Sequence, residues 1–196
     1  MNEAAASITT KQQHGQLIST LVLAFVCDPV VRWFRPQPSH YLANFPEFTR
    51  AFGGRSFEHG SAHYSADFAA RALCLSPGVE PDREAMHALM RRTLSPKQSV
   101  TLMGIREQMA SYHPEEPHWY LPLIEVDPAR QGHGYGSILL RFALECVDED
   151  RRTAYLESTN PANIPLHRKH GFETLGTIQV DEAPPMFPMI RKALRA

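Results

Sequence analysis

Apolar residues at Leu17, Leu21, Val22 and Phe25 recur at helical spacing behind Thr9 and Thr10, and Asp28-Pro29 ends the run. The pattern predicts a helix starting near Lys11. A second helical segment is expected from Tyr41 to Phe52, closed by Gly53-Gly54. The stretch "SAHYSADFAARALCLSPG" reads as two short strands around a turn near Asp67, ended by Pro77-Gly78. Helical periodicity returns from about Asp82 to Tyr112, with a break at Ser95-Pro96. "HWYLPLIEVDP" is rich in aromatic and aliphatic residues and stops at Asp127-Pro128, as a buried strand would. Further on, Leu139, Phe142, Ala143 and Cys146 share one helical face. "TAYLEST" reads as a strand and "PANIPLHRKH" as a short helix closed by Gly171. The tail from Phe172 to Leu194 reads as a hairpin turning at Ala183-Pro184-Pro185.

The last part of the chain therefore runs strand, glycine turn, helix, strand, helix, hairpin. A helix between two strands implies a right-handed crossover and a parallel pair. The remaining strands read as antiparallel, so an α/β fold with a mixed sheet is expected. With 196 residues, 43% hydrophobic and 21% charged, the chain suits one soluble domain. Its net charge of −1 gives no basic field for nucleic acid. The longest apolar run, Leu17 to Phe25, is far below the roughly 18–20 residues that span a bilayer. The first residues lack a secretory pattern. Cys27, Cys74 and Cys146 are scattered among apolar neighbours and read as buried, reduced thiols, which suits a cytoplasmic protein.

The candidate chemistry is concentrated at "RQGHGYGSILL", where Gly132, Gly134 and Gly136 precede an apolar helix. Helix N-termini offer unpaired N–H groups, and glycine allows positive φ and close backbone approach, so the segment suits a phosphate. A P-loop is excluded because no Gly-Lys-Ser/Thr follows. A dinucleotide fingerprint fails at its third glycine, where Ser137 stands, although Glu157 lies about where a ribose-binding acid belongs. A purely structural turn is the third alternative. His59 and His63 have metal-like spacing without a ligand cluster around them, so no metal is expected.

A fourth pattern fits better. Q-x-x-G-x-G at Gln131, Gly134 and Gly136, after "VDP" at a strand end, resembles the acetyl-CoA-binding segment of the GNAT N-acetyltransferase superfamily. "YLESTNPANIPLHRKHGFE" resembles that superfamily's next strand and helix with its Gly-Phe ending. From about Glu115 to Ala196 the chain is most similar to puromycin N-acetyltransferase-like members, through Glu116-Pro117, "GYGS", "LEST" and the final hairpin. The likeness is weaker upstream and least secure from Arg35 to His59.

That resemblance implies a GNAT fold: a central, mostly antiparallel mixed sheet with splayed parallel central strands, flanked by helices. Residues 1–114 would form the acceptor-side half and residues 115–196 the acetyl-CoA-binding half of a single domain. Backbone groups of Ile124 and Val126 would hold the pantetheine arm and thioester. Backbone groups of Gln131, Gly132, His133, Gly134, Tyr135, Gly136 and Ser137 would cradle the pyrophosphate. Asn160 and Asn163 stand where relatives place an asparagine near the thiol, or else cap a helix. The N–H of Val126 or its neighbour would face the oxyanion. His167 stands where the family's tyrosine acid stands, four residues before the Gly-Phe glycine, and reads either as an imidazolium acid or as a surface residue. Glu125 is the candidate base. Asp28, Trp33, Phe34, His118 and Tyr120 are the acceptor-side candidates. The implied activity is direct transfer from acetyl-CoA to a primary amine of a small molecule, without a metal. A catalytically weak acyl-CoA-binding module and a protein or peptide acetyltransferase are the alternatives. Relatives often dimerise, but no segment here fixes an interface.

Overall fold

In the computed structural model, which describes residues 6–65 and 68–193, the first helix opens with a side-chain lock. The Thr10 N–H donates to Gln13 Oε1 at 2.9 Å, closing a 3-10 turn that runs into α1 (His14–Ala24). Leu17 and Leu21 are wholly buried, as their spacing predicts. Asp28-Pro29 ends this segment and at once starts another. Asp28 Oδ1 accepts the Val31 N–H at 2.8 Å, and proline fills the first position of α2 (Pro29–Phe34). Then come α3 (Pro38–Gly53), α4 (Arg83–Thr93), α5 (Pro96–Tyr112), α6 (Tyr135–Glu149) and α7 (Ile164–Lys169). The break between α4 and α5 falls at Ser95-Pro96, where Ser95 caps α5 by accepting the Gln98 N–H.

Seven strands form one sheet in the order β1-β2-β3-β4-β5-β7-β6. They are β1 (Ala6–Ile8), β2 (Ala62–Ser65), β3 (Ala70–Leu75), β4 (Trp119–Val126), β5 (Ala154–Ser158), β6 (Glu173–Thr174) and β7 (Phe187–Arg191). Neighbours are antiparallel except β4 and β5. This is the mixed α/β sheet with a parallel centre that the sequence predicts. The three-residue β1 is an addition, too short to show a periodic signal. The turn expected near Asp67 and the hairpin end at Leu194 lie outside the described residues.

Two packing layers enclose the sheet. On one face Leu139, Leu140, Ala143, Leu144 and Val147 of α6 pack on Ala70, Ala72, Trp119, Leu121 and Leu156. Phe142 and Cys146, expected on that inner face, are only half-buried at its margin. On the other face, α1 and α3 bring Leu17, Leu21, Tyr41 and Phe45 onto Leu73 and Leu123. Cys74 is buried and Cys146 half-buried, but Cys27 is exposed, because its turn after α1 presents it outward. The expectation of three buried thiols fails there.

Two features of β4 shape the centre of the sheet. Leu73 pairs with Leu123 but Leu75 with Tyr120, so β4 carries one extra residue opposite Cys74. This bulge falls at Leu121-Pro122, where proline has no N–H to give the ladder. It shifts the alternation, so Tyr120 before the bulge and Glu125 after it share the α1–α3 face. The second feature is divergence. β4 and β5 pair only at Trp119↔Ala154 and Tyr120↔Tyr155, although both strands continue. Beyond these pairs the sheet opens into a gap.

Candidate active site

Backbone alternation fixes what faces the gap. The Asp127 N–H donates to Ala69 O on the β3 side at 2.8 Å. Adjacent N–H groups in a strand point opposite ways, so those of Val126 and Ile124 point into the gap. The Val126 N–H lies 3.2 Å from Glu125 Oε1, so the expected oxyanion donor shares its proton with that neighbouring carboxylate. Gln131 Nε2 donates to Val126 O at 3.3 Å and ties the glycine turn to the strand end.

The turn itself is built for backbone exposure. Gly132 and Gly134 have φ of +78° and +86°, a region costly for residues with a Cβ. Gly134 is the N-cap of α6, whose first N–H groups point out of the helix. Gly136 serves a different purpose. A Cβ there would stand 2.9 Å from Leu166 Cδ2 and 3.2 Å from Val126 Cγ2, so its absence seats α6 against β4 and α7. His133 is exposed, with Nδ1 2.8 Å from Gln131 O, while Tyr135 packs its ring on the α6-side core. The Ser137 N–H is engaged with Gly134 O at 3.1 Å, and its hydroxyl meets His170 Nε2 at 2.7 Å. Ser137 is therefore the least free donor of the expected cradle.

A cavity of about 740 Å³ lies along the open side of β4. Of the sequence-selected residues, Phe34, His118, Tyr120, Ile124, Glu125, Asn163 and His167 line it. Asp28, Trp33, Val126, Asn160 and the glycine turn do not. Burial pushes the Glu125 carboxyl up to about 7; the Val126 N–H and Arg71 oppose this, and Asp28 adds to it. Arg71 stands directly opposite Glu125 in the ladder and is almost fully buried.

His167 is not the surface residue that was one of its two expected readings. It is buried rather than on the surface, and burial with the nearby His170 lowers its pKa to about 4. That shift favours an uncharged imidazole over an imidazolium acid at neutral pH. Asn160 caps the turn Pro161–Asn163 by accepting the Ala162 N–H at 3.0 Å. Asp28 is likewise committed: one oxygen caps α2, and the other accepts from the Thr159 hydroxyl, after β5. It braces the site without presenting a free carboxylate. Trp33 sits edge-on to Phe34, with centroids 4.9 Å apart, and supports that lining residue from behind.

Sequence reasoning missed a buried carboxylate ringed by tyrosine and histidine. Tyr120 donates its hydroxyl to Glu157 Oε2 at 2.8 Å, and His113 Nε2 lies 3.5 Å from Glu157 Oε1. The His113 ring also packs on Tyr155, and Nδ1 of the half-buried His118 lies 2.8 Å from Glu116 O. Glu157 drew attention only as a possible ribose ligand. The better signal was a carboxylate in an otherwise buried strand. No cluster able to hold a metal occurs among the described residues, and none of the helices described is long and apolar enough to cross a membrane.

With this geometry, residues 100–172 match the model of the acetyltransferase (GNAT) family. The segment runs from within α5 through the gap and glycine turn to Phe172. The chain is also similar to a protein of Corynebacterium glutamicum described as histone acetyltransferase HPA2 and related acetyltransferase, with 21% identity, 98% of each chain covered and a TM-score of 0.70. Arylalkylamine N-acetyltransferase 2 of Aedes aegypti matches at 13% identity, covering 97% of this chain and 99% of its own, with a TM-score of 0.67. The C-terminal condensation domain of Ebony, in complex with beta-alanyl-dopamine, matches at 12% identity, 98% and 100% coverage, and a TM-score of 0.73. The segment 100–172 thus has the pattern of the GNAT acetyltransferase family, and the fold of the whole chain is the one these structures share. The Ebony domain is a reminder that the scaffold alone does not choose the acceptor.

Proposed function

We propose that this protein acetylates a primary amine of a small molecule from acetyl-CoA, by direct transfer, within one domain whose acceptor-side half is residues 1–114 and whose acetyl-CoA-side half is residues 115–196. The observation that carries the reading is the unpaired β4–β5 gap, which opens beside a carboxyl group poised near neutrality. The strand edges, the positive-φ glycines and the N-terminus of α6 fit acetyl-CoA. Ile124 and Val126 would hold its pantetheine arm by backbone bonds, Gln131 to Gly136 its pyrophosphate, with Ser137 contributing least. When bound, acetyl-CoA supplies an activated acetyl thioester.

The residues of the chain do the rest. Glu125, with a pKa of about 7, takes the proton of the incoming ammonium and is half-ionised at neutral pH. Arg71 keeps part of its charge in place. The Val126 N–H, released from Glu125, is the donor facing the thioester oxygen. His167 and Asn163 line the thiol end, where a neutral imidazole offers a hydrogen bond rather than a proton. Phe34, Tyr120 and His118 line the acceptor side, and Glu157 with its tyrosine and histidine partners gives that wall a negative charge. The puromycin-type likeness of residues 115–196 and the amines named for the Aedes neighbour favour a small acceptor over a protein tail.

Calorimetric titration with acetyl-CoA, and with NAD in parallel, tests the reading. Micromolar acetyl-CoA binding without a response to NAD supports it. Folded protein that does not bind acetyl-CoA would overturn it.

A further inference from the structure

We propose that the acceptor is an amine with a carboxylate at the far end of an apolar body, and that Arg35 reads the carboxylate. The inference rests on the acetyltransferase reading above. Arg35 follows α2 directly, lines the cavity, and is only 3% exposed. Its Nε and Nη2 have no hydrogen-bond partner among the described residues. The guanidinium carbon lies 5.2 Å from the ring centroid of Phe48. Aromatic contact of that kind is weak compensation for a buried charge, which proteins normally pair.

Four of the five carboxylates lining the cavity are engaged elsewhere, and the fifth, Glu115, is exposed and forms no ion pair with Arg35. Glu80 holds Arg83 at 2.7 Å, Glu116 accepts from Thr153 at 2.8 Å, and Glu157 accepts from Tyr120 at 2.8 Å. Glu125 faces the Val126 N–H at 3.2 Å. Among these, nothing neutralises Arg35. A ligand carboxylate would, because its two oxygens match the planar guanidinium fork.

Helix α2 sets the separation. Asp28 caps its start, bonds to Thr159 beyond β5, and acts electrostatically on Glu125, so that end lies at the reaction site. Arg35 stands at the other end, seven residues on. At a rise of about 1.5 Å per residue the two ends are roughly 10 Å apart. The α-carboxylate of an ordinary amino acid is too close to its own amine to reach across. Val31, Phe34, Phe48 and Phe52 line the cavity, so the spacer is apolar. The glycine turn does not line this cavity, which separates Arg35 from the phosphate cradle.

Matched acceptors test the proposal: ω-aminooctanoate against octylamine, and p-(aminomethyl)phenylacetate against p-methylbenzylamine. Acetyl transfer and calorimetric binding are measured for the native protein, Arg35→Met and Arg35→Lys, with KM for acetyl-CoA as control. The native protein should favour each carboxylate member by roughly 10- to 100-fold in kcat/KM, the scale of a charge-assisted bond. Arg35→Met should erase that ratio, leave KM for acetyl-CoA unchanged, and raise Tm, since an unpaired buried charge is gone. Arg35→Lys should keep part of the preference. Equal use of both members, or a preference that survives Arg35→Met, overturns the inference while transfer itself stands. Loss of acetyl-CoA affinity in Arg35→Met reassigns the charge to the phosphates and overturns it too. No transfer to any amine sinks the inference together with the acetyltransferase reading.

Discussion

The two flanks of the β4–β5 gap are made of different material. Toward α6 the work falls to backbone: positive-φ glycines, a helix N-terminus, and strand edges that have left the β4–β5 ladder. Toward α1 and α3 it falls to side chains in unusual states: Glu125 near pKa 7, and Arg35 and Arg71 buried with guanidinium nitrogens lacking partners among the described residues. A backbone cradle recognises what is constant in a cosubstrate and tolerates varied side chains. A wall of buried, shifted side chains recognises one acceptor and is lost with a single substitution. Changes on the α1–α3 flank should therefore alter activity and selectivity, and changes on the α6 flank should alter stability and acetyl-CoA affinity.

The largest effect that would break this contrast is at Glu125. Glu125→Gln should lower kcat/KM for amine acetylation by roughly 10²- to 10⁴-fold, the usual worth of a general base, with acetyl-CoA affinity kept. In the native protein the rate should rise with pH as one proton leaves near 7. Unchanged turnover would move catalysis to another group.

Next is acid stability. His63 is wholly buried, its ring edge-on to Phe142, with its pKa lowered to about 4 by burial. Above the ordinary value of 6.5, folded and unfolded chains both hold it neutral, and it adds no pH dependence. Between 6.5 and about 4 only the unfolded chain takes up the proton, so stability falls and then levels off. The shift corresponds to about 3 kcal/mol. Equilibrium unfolding of His63→Leu across this range should show a flatter pH dependence, with the remaining slope partly that of His167.

Smaller changes in stability are expected on each flank. Gly136→Val should destabilise by about 2 kcal/mol through overpacking against Leu166 and Val126, and should weaken acetyl-CoA binding. Asp28→Ala should cost about 1 kcal/mol for the lost cap, and somewhat more for the bond from Thr159. Thermal unfolding measures both.

The same contrast explains what was legible in the sequence. Helices α1, α3, α4 and α5 follow from periodicity with Ser, Pro and Gly punctuation, and the glycine turn from glycine spacing, because these signals are local. The bulge at Leu121-Pro122 is not local: it depends on β3 pairing, and unbroken alternation would put Tyr120 and Glu125 on opposite faces. His167 looked like a surface or charged residue because burial under neighbouring elements leaves no mark in its own short helix. Arg35 was passed over in a stretch with little family likeness; only the fold shows that its charge has no partner. Glu157 was noticed for the wrong ligand, since its tyrosine and histidine neighbours come from β4 and the end of α5.

The most direct measurement follows thiol release from acetyl-CoA with primary amines, for the native protein and Glu125→Gln, as a function of pH. Amine-dependent release that rises through pH 7 in the native protein and collapses in the variant is the expected result. Acetyl-CoA that binds but yields no amine-dependent thiol would contradict the account and leave an acyl-CoA-binding module in its place.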